Sequence, residues 1–337
     1  MTWTSPPLEA DWDAAVAALT SGDKVLLLAH VSPDADALGS ALAVGLALEA
    51  RGVDVVVSYG DDPFVLPRVL RSLPGQHLLV APDSITAHPV VVSFDVSAIE
   101  RLGVLRSAAE SADCFIAVDH HASYTGFAPV SLVDVTAPAT AVLALDLVDR
   151  LGVELTVDIA TAVYSGLVTD TGSFKYAGTT PGTHEVAARL MRTGMRHDVV
   201  ARHIYDDEPF AALRLLGAAL DRSVLEESAV GGLGLVWTVV SRAERDALGL
   251  PLDAVERVID VLRIATESEV ACVLKQDDTD AWRVSMRSKG RVDVSRVAMD
   301  LGGGGHRYAA GFTGHGEPGE VLRSVRAALD AAPHLPE

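Results

Sequence analysis

Short apolar runs alternate with helical periodicities through the first half of the chain. Four runs have the length and composition of strands in a buried parallel sheet, at 25–29, 53–58, 90–94 and 114–118. Helical patterns surround them at 8–19, 37–51, 98–105, 139–151, 158–168 and 181–192. This alternation predicts an α/β domain with a doubly wound parallel sheet.

The pattern changes near residue 222. Strand-like runs at 223–228, 233–240, 270–275 and 282–287 are interspersed with helical patterns near 242–248 and 255–262. We therefore expect an α/β domain at 1–190, a helical connector at 191–222 and a smaller α+β domain at 223–337.

Composition limits the partners of this globular chain. Of its 337 residues, 49% are apolar and 22% are charged, which excludes a disordered protein and leaves room for two cores. The formal net charge of −19 argues against a surface that binds long nucleic acid or an anionic membrane.

The cysteines and the N-terminal residues favour the cytoplasm. Cys114 and Cys272 lie far apart in apolar runs, a pattern typical of buried thiols in a reducing compartment. Residues 1–13 lack the pattern of a signal peptide, and no apolar stretch reaches the roughly 18 residues of a membrane span.

Polar residues follow three of the predicted strands directly. His30 follows the first run, Asp95 the third, and Asp119, His120 and His121 the fourth. Because ligands of such folds gather beyond the carboxyl ends of the strands, we expect these side chains to converge at one edge of the sheet.

The first strand leads into a motif of one histidine and two carboxylates. His30, Asp34 and Asp36 lie in a proline-containing turn before a helix, and Asp170 lies where a later helix gives way to a glycine turn. Carboxylate and imidazole ligands suit Mn²⁺ and other divalent ions. Taken singly, each residue has an ordinary alternative, such as a helix N-cap or a capped turn; together they indicate a metal site. His184 remains open, facing either this site or solvent.

These motifs resemble the DHH phosphoesterases, whose name is the signature Asp119-His120-His121. Matching motifs are His30/Asp34/Asp36, Asp95 and Asp170, and the C-terminal part resembles the DHHA1 domain through residues 285–289 and 302–311. The stretch 169–176 is similar to the branch of nanoRNases and pAp phosphatases, and the chain also resembles actinobacterial cyclic di-AMP phosphodiesterases. One departure is Tyr124, where this branch often has Asn.

The resemblance implies two divalent ions, Mn²⁺ first among the candidates. One would be held by His30, Asp34 and Asp95, the other by Asp36, His120 and Asp170 together with a bridging Asp95. It implies hydroxide attack on phosphorus, with Asp95 and His121 as catalytic residues. His121 would contact the substrate phosphate or leaving group, and Asp119 would orient a histidine or its loop.

In the second domain, a run of glycines allows two interpretations. It is either a flexible turn or a backbone cradle for a phosphate, formed by Gly303, Gly304, Gly305 and His306. The nearby Arg287 and Ser288 favour the cradle, because Arg287 can clamp a phosphate or stack on a base.

The expected function is therefore hydrolysis of nanoRNA, linear diadenylate, cyclic di-AMP and 3′-phosphoadenosine 5′-phosphate (pAp), by a protein that the family implies to be a homodimer. A non-catalytic module that senses nucleotides or binds RNA is one alternative, and an inorganic pyrophosphatase is another.

Overall fold

The computed structural model describes residues 7–21 and 24–335. The chain divides after Asp207 into two compact units, here the first unit and the second unit. The outer ends of the predicted domain ranges lie outside the described residues. The expected connector at 191–222 is shared between the units, because its two helices pack in different hydrophobic cores.

The first unit contains a five-stranded parallel sheet of order β2-β1-β3-β4-β5. Its strands are β1 Lys24–Ala29, β2 Asp54–Tyr59, β3 Val90–Phe94, β4 Cys114–Asp119 and β5 Val130–Val133. Every neighbouring pair runs parallel, which confirms the predicted α/β class. The sequence prediction missed β5, which has four residues and only two buried positions.

Helices cover this sheet. They are α1 Glu9–Ser21, α2 Ala35–Ala50, α3 Arg106–Glu110, α4 Thr140–Arg150, α5 Val157–Asp170, α6 Pro181–Met191 and α7 His197–Tyr205. The helix expected at 98–105 is instead the 3-10 segment Ile99–Leu105, because Gly103 interrupts it with a positive φ of 55°.

Both faces of the sheet are buried, which is why its strands show no polar alternation. Leu27 of β1 joins one core, whereas its neighbours Leu26 and Leu28 join another on the opposite face. Charged side chains are therefore confined to the strand ends, at Lys24, Asp54 and Asp119. The strand order reverses between β1 and β3, and such a switch point is where ligands bind in open α/β sheets.

The second unit contains a six-stranded sheet of order β10-β11-β9-β8-β7-β6. Its strands are β6 Val224–Glu226, β7 Leu235–Val240, β8 Val270–Gln276, β9 Trp282–Ser288, β10 Gly304–His306 and β11 Ala309–Gly314. Only the β7–β8 pair is parallel, so this is the smaller α+β fold that the sequence predicts.

Helices pack on both faces of this sheet as well. They are α8 Phe210–Asp221, α9 Ala229–Gly232, α10 Arg242–Ala247, α11 Arg257–Leu262, α12 Val294–Asp300 and α13 Pro318–Ala331. The sequence prediction assigned no helix or strand after residue 287. Within the described ranges, no helix is both long enough and apolar enough to cross a membrane.

Candidate metal centre

Side chains from three strand ends and two helix ends meet at the switch point of the first unit. His30 follows β1, Asp95 follows β3, and His120 follows β4, as the sequence predicts. Asp95 has a left-handed backbone (φ 61°), which Asp tolerates better than most residues. Its N–H donates to the carbonyl of Val118 at 2.9 Å, so the ends of β3 and β4 are tied together.

The first group of potential ligands is His30, Asp34 and Asp95, whose ligand atoms lie within 4.8 Å of one another. His30 Nε2 is 3.7 Å from Asp34 Oδ2 and 3.6 Å from Asp95 Oδ2. His30 Nδ1 lies 2.8 Å from the carbonyl of Val31. Since a carbonyl only accepts, Nδ1 carries the hydrogen and Nε2 keeps its lone pair for a metal.

Asp34 has a different task for each of its oxygens. Oδ1 caps α2 by accepting from the N–H groups of Asp36 and Ala37, at 3.0 and 2.9 Å. Oδ2 faces His30. The side chain is 55% exposed, so this ligand lies on the accessible side of the group.

The second group is Asp36, His120 and Asp170, again within 4.8 Å of one another. His120 Nε2 is 3.2 Å from Asp170 Oδ2 and 3.8 Å from Asp36 Oδ2. His120 Nδ1 lies 3.0 Å from the carbonyl of Ala137, which fixes the same tautomer as in His30.

Asp95 is a member of the first group and also reaches the second. Its Oδ2 faces His30, whereas its Oδ1 lies 3.5 Å from His120 Nε2. Each group is therefore offered one oxygen of the same carboxylate. This is the arrangement that a bridging ligand requires.

The N-terminus of α4 holds the carboxylates in place, a feature that the sequence analysis missed. The N–H groups of Thr140 and Ala141 each donate to an oxygen of Asp36 at 2.8 Å. The hydroxyl of Thr140 donates to Asp95 Oδ1 at 2.7 Å. A helix N-terminus favours negative charge, and the predicted helix start near residue 139 was the available signal.

Gly166 lets α5 approach Asp36 closely. A Cβ at this position would lie 2.8 Å from Asp36 Oδ1 and 2.8 Å from the Cβ of Ala141. The lack of a side chain thus allows α2, α4 and α5 to converge. Asp36 and Asp170 are brought together by this packing.

The charges of the cluster do not balance without a cation. Burial raises the pKa of Asp36 well above its usual range, and the charges of Asp95 and Asp170 raise it further. Burial likewise raises the pKa of Asp170 to about 6. A divalent ion would relieve this repulsion, so the residues fit a metal site.

For Asp95 and His30, neighbouring groups of opposite charge shift the pKa against the effect of burial. Burial opposes ionisation of Asp95, but His121, His30 and His120 hold its pKa well below the usual range. Burial and the nearby Arg101 would lower the pKa of His30, and the adjacent Asp34 and Asp95 raise it instead.

His121 is oriented by Asp119. Asp119 Oδ1 accepts from His121 Nδ1 at 2.7 Å and from the N–H groups of His120 and His121 at 2.8 and 3.1 Å. Burial lowers the pKa of His121, but Asp119 and Asp95 raise it well above its usual range. A protonated Nδ1 is unavailable to a metal.

The predicted substrate residues of the second unit lie around β9 and β10. Arg287 is partly buried, with Nε 3.8 Å from Asp260 Oδ1. Ser288 is buried and donates to Glu269 Oε1 at 2.8 Å, so its hydroxyl shapes the loop instead of presenting itself to substrate. Sequence analysis missed Glu269, which also accepts from the N–H of Arg291 at 2.8 Å.

The glycine run is partly a helix end and partly an edge strand. The N–H groups of Gly302 and Gly303 donate to carbonyls of α12, at 3.0 and 2.8 Å. Gly304, Gly305 and His306 form β10 at the edge of the sheet. A phosphate cradle would therefore involve the later part of the run, not the N–H of Gly303.

The structure shows the surroundings of Tyr124 and His184, which the sequence did not determine. Tyr124 is buried in an apolar core, and its hydroxyl contacts Ser131 Oγ at 3.0 Å and accepts from the N–H of Ala128 at 3.2 Å. Tyr124 thus serves packing. His184 is exposed on α6 and stacks with Phe174.

Comparisons with known proteins agree with this geometry. Residues 24–167 match the model of the DHH family, N-terminal domain, and residues 239–333 match the DHHA1 domain. The chain belongs to the DHH family of phosphoesterases, as its motifs predict.

Individual relatives extend the match over most of the chain. The bifunctional oligoribonuclease and PAP phosphatase NrnA of Thermus thermophilus is 33% identical over 317 residues, which cover 92% of each protein. The cyclic-di-AMP phosphodiesterase PdeA of Listeria monocytogenes is 26% identical over 306 residues, covering 86% of this chain and 44% of that protein. A crystal structure of an exopolyphosphatase-related protein from Bacteroides fragilis has the same fold, with a TM-score of 0.85, 23% identity, and coverage of 97% and 98%.

Proposed function

We propose that this chain is a Mn²⁺-dependent phosphoesterase that hydrolyses short oligoribonucleotides, including linear diadenylate, together with pAp and cyclic di-AMP. The observation that carries the proposal is the position of Asp95, which offers one oxygen to each of two ligand groups. The activities of the Thermus and Listeria relatives support these substrates.

Two divalent ions are proposed, one for each group. His30, Asp34 and Asp95 would hold the first, and Asp36, His120 and Asp170 would hold the second with Asp95 shared. When bound, such ions lower the pKa of a water and neutralise charge on phosphoryl oxygens.

The chain's own residues orient this centre and the substrate. The amides of α4 and the Thr140 hydroxyl fix Asp36 and Asp95. His121 holds a proton at Nδ1 against Asp119 and is proposed to contact the phosphate or leaving oxygen through Nε2. Asp119 is then a positioning residue, and His121 a catalytic one.

The second unit is proposed to supply phosphate contacts. Arg287 is a fork-shaped donor suited to phosphate, and β10 lies at the edge of the sheet. Arg287, Gly304, Gly305 and His306 are the proposed residues, whereas Gly303 and Ser288 shape the fold around them.

The alternatives have less support. A non-catalytic nucleotide sensor would not need the complete set of six ligand residues that the first unit assembles. An inorganic pyrophosphatase would share the metal centre, but the matched DHHA1 domain favours a nucleotide substrate. A homodimer is also proposed from the family, and light scattering of the purified protein tests it.

The decisive experiment compares substrates on metal-free protein to which Mn²⁺, Mg²⁺ or Co²⁺ is added back. Diadenylate, pAp and cyclic di-AMP should be hydrolysed with Mn²⁺. Failure with all three ions would refute the proposal, and binding without hydrolysis would support the sensor. Pyrophosphate that is hydrolysed faster than every nucleotide would support the pyrophosphatase instead.

A further inference from the structure

The turn that follows Asp170 has an unusual backbone. Gly172, Ser173 and Phe174 have φ angles of 57°, 60° and 63°, three left-handed residues in succession. Glycine adopts this conformation freely, but each of the other two residues costs on the order of 1 kcal/mol. Non-glycine residues under such strain are found preferentially at ligand sites.

A dense set of hydrogen bonds holds the turn in this shape. The N–H of Ser173 donates to the carbonyl of Val168 at 2.8 Å, and its hydroxyl donates to the hydroxyl of Tyr205 at 2.7 Å. The N–H of Phe174 donates to Thr171 Oγ1 at 3.1 Å. A Cβ on Gly172 would lie 2.4–2.7 Å from ring atoms of Tyr176, so only glycine fits there.

The strained turn places one aromatic ring beneath another. The ring of Phe174 is half-buried against the large core of the first unit. It stacks on the imidazole of His184, with centroids 4.9 Å apart and an angle of 28° between the planes. His184 is exposed, and its imidazole makes no hydrogen bond to any of the residues that the structure describes, 7–21 and 24–335. It is therefore an exposed flat ring with a rigid support.

This ring pair begins four residues after Asp170 in the chain. Phe174 is four residues after Asp170, so the chain limits their separation to about 14 Å even when fully extended. The turn shortens it further, because Ser173 folds back to bond Val168. The residue that supports His184 therefore lies within about 14 Å of Asp170, measured between their Cα atoms.

We propose that His184, supported by Phe174, stacks against a nucleobase of the substrate. The inference rests on the proposed function and adds a base-binding site within the first unit. Stacking on a flat ring accepts every base, because each base has a π face, and is worth about 1–3 kcal/mol. Stacking on His184 would strengthen the binding of single-stranded nucleotides and would not change the binding of phosphates that carry no base.

The test compares His184→Ala and His184→Phe with the wild type on two substrates, diadenylate and its analogue without bases. We expect His184→Ala to raise KM for diadenylate by about 5- to 100-fold with little change in kcat. His184→Phe should retain the wild-type KM, which separates stacking from a role of the imidazole nitrogens. KM for the base-free analogue should not move in either variant.

A control and a second measurement make each outcome informative. His197→Ala removes another exposed histidine of the first unit and should leave both substrates unaffected. Calorimetry with AMP and metal-free protein should show weaker binding to His184→Ala alone. Equal losses on both substrates, or unchanged AMP binding, would overturn the base-binding site. If the wild type hydrolyses neither substrate, the proposed function fails, and calorimetry still decides on His184.

Discussion

The two units differ in whether their buried charged side chains are paired with opposite charges from the same chain. In the second unit, buried ionic groups have partners in the chain: Lys275 pairs with Glu256, and Arg245 pairs with Asp278. In the first unit, Asp36, Asp95 and Asp170 lie together, and His30 and His120 turn their Nε2 atoms toward them. Compensated charge supports a fold, whereas uncompensated negative charge indicates a place for a cation.

The largest expected effect comes from removing the shared carboxylate. Asp95→Asn should lower the Mn²⁺-dependent hydrolysis of diadenylate by more than about 100-fold, because both ligand groups lose an oxygen anion. Asp83→Asn, on an exposed turn, is the matched control. Near-normal turnover by Asp95→Asn would contradict the shared role, provided that circular dichroism shows an intact fold.

In the second unit, removal of a buried carboxylate should lower stability and not activity. Glu269→Ala removes the acceptor for Ser288 and for the N–H of Arg291, and should lower the free energy of unfolding by about 2 kcal/mol. Urea denaturation measures this, with Glu267→Ala as the exposed neighbouring control. Equal midpoints for the two variants would show that this buried carboxylate is not structural.

A smaller effect is expected for Thr140→Val, which keeps the shape and removes the hydroxyl donor to Asp95. The affinity for Mn²⁺ should fall about tenfold, as is typical for loss of a group that orients a ligand. Titration calorimetry measures the affinity directly. Thr161→Val, on the exposed side of α5, should leave the affinity unchanged.

The smallest effect concerns the metal-free protein and pH. Burial raises the pKa of Asp170 to about 6, above the usual range of an aspartate, and raises the pKa of Asp36 as well. The folded state therefore binds more protons, and stability should increase by on the order of 1 kcal/mol as pH falls from 8 to 5. Thermal unfolding at both values tests this. Saturating Mn²⁺ or Asp170→Asn should reduce the difference, and an unchanged slope would contradict the assignment.

The sequence predicts which residues converge in the first unit because several of them follow apolar strands directly. His30, Asp95 and His120 each end a run whose burial is obvious from composition, and parallel strands must bring such ends together. The contacts around them are different. The N–H of Thr140 donates to Asp36, which lies 104 positions earlier in the sequence. A local sequence pattern cannot predict a hydrogen bond at that separation.

The second unit was predicted less completely for a related reason. Its glycine run has no hydrophobic periodicity, so the edge strand β10 could not be recognised from it. Ser288 looks accessible in a stretch rich in charge, yet it is buried because Glu269 lies opposite it on the adjoining chain segment. Burial of this kind depends on tertiary packing, which a one-dimensional pattern does not contain.

The left-handed backbone of Asp95 affects how this position tolerates change during evolution. Asn and Gly accept a positive φ readily, whereas β-branched residues do not. In a library of all substitutions at this position, the amount of soluble protein in the cell should therefore not correlate with the hydrolytic activity. Asn and Gly would persist as abundant, inactive proteins, and Val or Ile would be depleted from the soluble pool.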